Sequence, residues 1–138
     1  MNVIVCIDDN FGMMFNHRRQ SRDRVVIEDM IKNLNSKKIH MNSYSASLFL
    51  KYKDYIEVDE NFMDNPANDD FYFIENVALL DYKEQIDTII LYRWNRNYPD
   101  DFYFDLPLDE YDLIYKTEFV GYSHEKITKK IYKKRGEL

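Results

Sequence analysis

The chain has 138 residues, 45% of them hydrophobic and 16% aromatic, and its formal net charge is −6 at pH 7. This length predicts a single domain over residues 1–138, and the hydrophobic content excludes a chain that is disordered throughout. Every apolar run is shorter than the ~18–20 residues of a membrane-spanning helix, the first residues lack the pattern of a secretory signal, and the lone Cys6 excludes an internal disulfide, so we expect a cytoplasmic protein.

The first thirty residues follow the order strand, loop, charged segment and helix. Residues 2–7 are apolar and β-branched without alternation, which is typical of a buried strand. A loop with Gly12 and a charged segment over 15–23 come next. Ser21 is a suitable cap for a helix with Asp23 in its first turn. The apolar stripe of that helix is formed by Ile27, Met30, Ile31 and Leu34.

The rest of the chain alternates strands and helices and then ends in strands. Strands are predicted over 38–41, 55–58, 71–74 and 87–94, with a helix capped by Ser43 or Ser45 through about Lys53 and a short helical segment over 77–85. Residues 111–120 and 125–132 flank Gly121 and predict an antiparallel hairpin, although the lysine spacing of the last segment also suits a helix. The class is therefore α/β with a mixed sheet.

Charge is strongly segregated along the chain. Nine acidic and no basic residues occupy 54–82, six acidic and no basic residues occupy 97–115, and lysines dominate the tail over 126–135. The simplest interpretation is a solvated surface with a basic end. The acidic middle argues against a broad nucleic-acid-binding face, whereas a local anion site near the N-terminal arginines stays possible. An interaction protein that uses the acidic middle or the basic tail is an alternative.

Asp23 is the best candidate for a general acid or base. A carboxylate in the first turn of a helix that faces an apolar cleft would have a pKa raised by burial, whereas the helix dipole would lower it. The alternative role is a cap or an ion pair with Arg22 or Arg24. Asp8, which follows the first strand, is suited to bind a metal or a polar ligand, or to form the turn.

Two further clusters are candidates for ligand binding. Arg18, Arg19 and Arg22 form a possible clamp for phosphate or carboxylate, or a solvated set. Tyr92 and Trp94 lie among arginines at a strand end, where they would stack on a planar ring or pack the edge of the core. The three histidines share no metal-ligand spacing, so no metal site is predicted, and His17 has the best claim to a function. No nucleophile elbow or phosphate loop occurs, so covalent catalysis has no motif to support it.

This order of elements resembles dihydrofolate reductase over most of the chain. The Val3–Ile7 strand, the Gly12-Met13 pair, the Phe15-Asn16 aromatic segment and Asp23 match the family's first strand, loop and helix with its catalytic carboxylate. Residues 88–92, 100–105 and the closing hairpin match later parts. The resemblance implies a three-layer α/β sandwich with a mixed, mostly parallel sheet and a C-terminal antiparallel hairpin. It also implies a ligand site near Asp23 and NADPH as a possible cofactor.

The chain departs from that family where the cofactor phosphates would bind. The family's glycine pair after a late strand is replaced by Glu75 and Asn76, and its Gly-Arg pair is replaced by Asn42 and Ser43. The chain is also similar to short bacterial proteins that sometimes carry a ribonuclease Z label, an activity whose His-x-His-x-Asp-His zinc motif is absent from this sequence.

The prediction is a small planar or anionic ligand bound near Asp23, with no reaction assigned. The alternatives are an NAD(P)H-dependent reductase with an atypical cofactor site, an interaction protein and, on the label alone, a ribonuclease. The predicted ligand-binding residues are Asp8, Phe15, Asn16, His17, Arg18, Arg19, Arg22, Tyr92 and Trp94, with Asp23 as the candidate catalytic residue.

Overall fold

A computed structural model describes residues 1–67 and 69–136. The helices are α1 (Arg24–Lys32), α2 (Ser43–Ala46) and two 3₁₀ helices, Ser47–Tyr55 and Leu80–Gln85. The strands are β1 (Asn2–Ile7), β2 (Gly12–Phe15), β3 (Arg18–Arg19), β4 (Ile39–Met41), β5 (Ile56–Val58), β6 (Phe71–Phe73), β7 (Thr88–Arg93), β8 (Phe102–Tyr103), β9 (Tyr111–Phe119) and β10 (Ile127–Lys134).

Seven of these strands form the central sheet, in the order β5-β4-β6-β1-β7-β10-β9. The pairs β4–β5, β4–β6, β1–β6 and β1–β7 are parallel, whereas β10 is antiparallel to both β7 and β9. The predicted α/β class, with a mixed and mostly parallel sheet and a closing antiparallel hairpin, is confirmed. Because β1, β6 and β7 are parallel neighbours, their carboxyl ends meet at one edge of the sheet.

The sheet separates two apolar cores, which makes three layers. On one face Val3, Val5 and Ile7 pack with Ile89 and Leu91 beneath the small β2–β3–β8 sheet and the second 3₁₀ helix. On the other face α1 and the first 3₁₀ helix pack against the central strands. The helices contribute Val26, Ile27, Met30 and Phe49 to this core, and the strands and their ends contribute Phe73, Tyr92 and Trp94. Alternating strand positions supply the two cores, as the two-residue period of a strand requires.

The three-stranded sheet β3-β2-β8 was not predicted from the sequence. Its β2–β3 hairpin turns at Asn16 and His17, whose φ angles of 51° and 62° are both positive. Two consecutive positive φ angles are typical of the two-residue hairpin turn that matches strand twist, and asparagine tolerates them better than most residues. The side chains of Phe15, His17 and Arg18 at this tip are exposed.

Both helices are capped by residues other than those expected. The prediction that Ser21 caps α1 is wrong, because the Asp23 side chain is the cap and accepts from the Val25 N–H. Likewise Asn42, rather than Ser43 or Ser45, caps α2 by accepting from the Ser45 N–H. The predicted second helix is only four residues of α-helix, followed by 3₁₀ turns.

The basic C-terminal segment is an inner strand of the sheet. The helical alternative for residues 125–132 is wrong, because β10 pairs with β7 on one side and with β9 on the other. Lys129 is buried there, and its ammonium donates to Asp29 Oδ2 at 2.7 Å. The lysines of β10 are therefore held in the sheet rather than on a free tail. Within residues 1–67 and 69–136, no helix combines the length and the apolar character that crossing a membrane requires.

Candidate functional site

A small cleft lies at the carboxyl edge of β1, β6 and β7. Its apolar wall is formed by Cys6, Met13, Ile27, Leu48, Phe73, Ile74 and Trp94, and its polar wall by Arg19, Gln20, Ser21, Arg22 and Glu75. The cavity volume is about 20 Å³, which is room for one water molecule or a methyl-sized group. A larger surface groove of about 680 Å³ lies between α1 and the β9–β10 hairpin, and none of the predicted site residues lines it.

The Asp23 carboxylate is buried and fully engaged at this edge. Oδ1 accepts from the N–H groups of Val25 and Tyr122, each at 2.9 Å, and Oδ2 accepts from the Ser123 N–H at 2.8 Å. Burial alone would raise the pKa of Asp23, but the bond from His124 and these N–H donors outweigh it and lower the pKa to about 2. Of the two directions expected for the pKa of Asp23, the lowered one is found, and the side chain caps α1 as the alternative role predicts.

His124 is the residue of this site that the sequence did not single out. Its Nδ1 lies 2.8 Å from Asp23 Oδ2, and its Nε2 lies 2.9 Å from Ser21 Oγ and 3.2 Å from the Tyr98 hydroxyl. The ring stacks on Trp94 with centroids 4.6 Å apart. Because Asp23 is ionised above its low pKa, its Oδ2 accepts the Nδ1–H of His124, and Nε2 faces the hydroxyl groups of Ser21 and Tyr98.

Gly121 gives a test of how tightly this network is packed. A Cβ atom at position 121 would lie 2.5 Å from Asp23 Oδ2, closer than real contacts allow. We expect Gly121→Ala to displace the carboxylate and to lower the free energy of unfolding by ~2 kcal/mol, the usual scale of overpacking. Urea denaturation measures the change.

Gly136→Ala is the matched control, because among residues 1–67 and 69–136, chain neighbours apart, no atom lies within 4 Å of the position that its Cβ would take. Its free energy of unfolding is expected to stay within ~0.5 kcal/mol of wild type. Equal stability of the two variants would contradict the packing seen around Asp23.

Arg19 forms a largely buried ion pair with Glu75. Its Nε and Nη2 donate to the two carboxylate oxygens of Glu75 at 2.8 and 3.0 Å, and Nη2 also donates to the Tyr44 carbonyl at 3.1 Å. Burial opposes the charge of Arg19, but the bond to Glu75 outweighs it and raises the pKa of the guanidinium. The three-arginine clamp is therefore not assembled: Arg22 lines the cleft, and Arg18 lies on the exposed hairpin.

Asp8 organises the loop that follows β1. Oδ1 accepts from the N–H groups of Asn10 and Gly12 at 2.9 and 2.7 Å, and Oδ2 accepts from Gln20 Nε2 at 3.0 Å. Burial would raise the pKa of this carboxyl, but the N–H donors lower it. Asp8 therefore has the turn-forming role, which was one of the two predicted for it. Across the described ranges, no group of three or more His, Cys, Asp or Glu side chains is placed to hold a metal ion.

Tyr92 and Trp94 point to the same face of the sheet, but Tyr92 contacts α1 whereas Trp94 lines the cleft. The Tyr92 hydroxyl donates to Asp29 Oδ2 at 2.6 Å beneath α1, away from the cleft. Burial, with the neighbouring Asp29, raises the pKa of Tyr92. Trp94 lines the cleft, but its ring is already stacked on His124. The rings of Tyr92 and Trp94 therefore do not form an open pair on which a planar ligand could stack.

Comparison with solved structures identifies the fold. The chain superposes on a dihydrofolate reductase from Enterococcus faecalis, complexed with NADP(H) and RAB-propyl, with a TM-score of 0.69. The match covers 98% of this chain and 96% of that chain at 7% sequence identity. The protein therefore has a dihydrofolate-reductase-like fold, as the order of its elements predicts. No protein-family model matches the sequence, and no curated protein matches it either.

The residues at the carboxyl end of β6 do not fit the phosphates of a dinucleotide. Glu75 is nine-tenths buried there, and its carboxylate binds Arg19 and accepts from Ser45 Oγ at 2.8 Å. The Asn42 side chain caps α2 through Oδ1 and donates from Nδ2 to Asn76 Oδ1. A glutamate side chain in place of glycine blocks close approach of the backbone to a pyrophosphate, and Arg19, which is paired with Glu75, is not free to bind one. The residues present therefore do not suit a dinucleotide cofactor, although the fold is that of dihydrofolate reductase.

Proposed function

We propose that this chain binds a small anionic ligand of the size of acetate, with its methyl group in the cleft beside Ser21 and Asp23 and its carboxylate at the mouth of the cleft, where Arg22 is exposed. The observation that carries the proposal is the polar wall of the cleft. Arg22 lines it without an acidic partner within residues 1–67 and 69–136, whereas the neighbouring Arg19 is neutralised by Glu75. A free guanidinium beside a hydroxyl offers charge-assisted hydrogen bonds to a carboxylate.

Of the two predicted classes of ligand, the size of the cleft favours a small anion over a planar ring. A volume of about 20 Å³ is too small for an aromatic ring, since sites for larger ligands measure ~300 Å³ or more. The oxygens of the nearby Asp23 carboxylate accept hydrogen bonds from N–H groups and His124, so this carboxylate is not the partner of the Arg22 guanidinium.

The proposal predicts that acetate binds and that Arg22 is responsible. Trp94 is the only tryptophan and lines the cleft, so its fluorescence reports binding. At constant ionic strength, with chloride replaced by acetate, we expect a dissociation constant of about 1 mM. Arg22→Gln should weaken binding ~10-fold, the effect of losing one charge-assisted hydrogen bond.

Arg18→Gln is the matched control, because it makes the same charge change on the exposed hairpin. It should leave the dissociation constant within ~2-fold of wild type. Equal losses in the two variants would show a general effect of charge, and no fluorescence response to acetate would contradict the proposal. NADPH is titrated in parallel, and binding tighter than that of acetate would favour the reductase alternative.

A further inference from the structure

Ser21, His124 and Asp23 form a connected chain of hydrogen bonds at the cleft. Ser21 Oγ lies 2.9 Å from His124 Nε2, and His124 Nδ1 lies 2.8 Å from Asp23 Oδ2. The histidine and aspartate side chains are only 2% and 0% exposed, whereas Ser21 is half-buried and lines the cavity. We propose that this chain is a Ser-His-Asp triad that hydrolyses short carboxylic esters, with Ser21 as the nucleophile.

Each member of the chain has the state that the role requires. Asp23 is fixed by three backbone N–H groups and is ionised at neutral pH. It therefore orients the Nδ1–H of His124 and leaves Nε2 free to take the serine proton. Trp94 stacks on the imidazole and holds its plane. A base positioned by a carboxylate and in contact with a hydroxyl is recognised by this geometry, whatever the order in the sequence.

A donor for the developing oxyanion lies next to the nucleophile. In the described part of the chain, the Arg22 N–H, directly after Ser21, donates to no protein acceptor. The N–H of the residue after the nucleophile is a common oxyanion donor. The Arg22 side chain, on the same rim, adds positive charge.

The substrate class follows from the cavity and rests on the proposed anion site. About 20 Å³ accommodates the methyl group of an acetyl ester but no longer acyl chain. The alcohol part of the ester would remain outside the cleft. The acid released by hydrolysis is a small carboxylate, which is the class of anion that Arg22 is proposed to bind.

The reaction balances with water as the only co-reactant. Ser21 Oγ attacks the carbonyl carbon while its proton passes to His124 Nε2, and the ester C–O bond breaks as that proton moves to the leaving alcohol. Water then attacks the acetyl-Ser21 ester and gives one proton to Nε2, which passes it to Ser21 Oγ as the Oγ–acyl bond breaks. The released acetic acid ionises to acetate. The Tyr98 hydroxyl, 3.2 Å from Nε2, competes with Ser21 for the same lone pair.

The test uses p-nitrophenyl acetate with the full chain. We expect release of p-nitrophenolate and an acetyl group on Ser21, located by peptide mass spectrometry after quenching in acid. Ser21→Ala should lose that acetyl group and ~100-fold or more of the rate. Thermal unfolding of each variant confirms that it is folded.

Ser47→Ala is the matched serine control, because Ser47 does not line the cleft and its exposed hydroxyl donates to the Tyr44 carbonyl. It should keep the wild-type rate and the acetyl group on Ser21. Acetyl groups found only on lysine or tyrosine side chains, or equal rates in wild type and Ser21→Ala, would overturn the triad. If acetate still binds in that case, the proposed anion site stands without the triad, and if acetate does not bind, both fail.

Discussion

Replacing Asp23 with Asn is expected to lower the free energy of unfolding by about 3 kcal/mol, the upper end of the cost of leaving a buried hydrogen-bond donor without its charged acceptor. An asparagine side chain keeps one acceptor oxygen and loses the negative charge that His124 and the Ser123 N–H require. Its amide N–H groups would face N–H donors that now bind Oδ2, so at least one buried donor is left unpaired. Urea denaturation at pH 7 measures the loss.

Asp9→Asn is the matched control for this substitution. Asp9 is two-fifths exposed, and its nearest cation, Arg93, is 3.8 Å away, so the same chemical change should cost less than ~0.5 kcal/mol. Equal losses in Asp9→Asn and Asp23→Asn would show that the network around His124 adds nothing to stability.

The lowered pKa of Asp23 also predicts how stability depends on pH. The folded-state pKa of about 2 lies below the ordinary aspartate value of 3.8, so ionisation of Asp23 favours the folded state. This contribution, ~2 kcal/mol, is fully present above the unfolded pKa and is lost as pH falls from about 4 to 2. Wild type should lose that increment over this range relative to Asp23→Asn, and parallel pH profiles would contradict the assignment.

Replacing Glu75 with Gln is expected to cost about 3 kcal/mol, because it leaves the half-buried Arg19 guanidinium without its counter-charge. A glutamine side chain at this position would present one oxygen and one N–H group to two guanidinium donors that now meet two oxygens. The bond from Ser45 Oγ would lose its charged acceptor as well. Thermal and urea unfolding of the purified variant measure the loss.

Glu57→Gln is the control for Glu75→Gln. Glu57 pairs with Lys38 at 3.1 Å, but both side chains are about half exposed, so the change should cost less than ~0.5 kcal/mol. A Glu75→Gln variant as stable as Glu57→Gln would mean that burial does not strengthen the Arg19 pair. The double variant Arg19→Met with Glu75→Leu should recover part of the lost stability, since removing both charges also removes their desolvation cost.

Glu75 and Asp23 together explain why a dihydrofolate-reductase-like fold need not carry that family's chemistry. The sequence resemblance predicts glycine where this chain has Glu75, and the charge of Glu75 is paired with Arg19. It also predicts a catalytic carboxylate at Asp23, and the Asp23 side chain is enclosed by residues 121–124. The fold is retained while the site has different hydrogen-bond partners, which is the general relation between folds and functions.

Strand and helix order was determined by the sequence alone. β1 and β7 are recognisable as apolar β-branched runs, and α1 as a stripe with a period near 3.6, because these patterns are local. The parallel core and the antiparallel ending follow from alternation in the first half and consecutive strands in the second. The β2, β3 and β8 strands were missed because turn-forming and charged residues dominate their surroundings: β2 begins at Gly12, β3 consists of two arginines, and β8 follows Asp100 and Asp101.

The identity of the site was decided by tertiary structure. Asp23 and His124 are 101 residues apart, and Arg19 and Glu75 are 56 apart, so no motif spacing joins them. Whether Asp23 faces an open cleft or the 121–124 turn sets the sign of its pKa shift, and burial and donor contacts exist only in the folded chain. The sequence therefore located the carboxylate at the right edge of the sheet, and only long-range contacts determined which side chains share its charge.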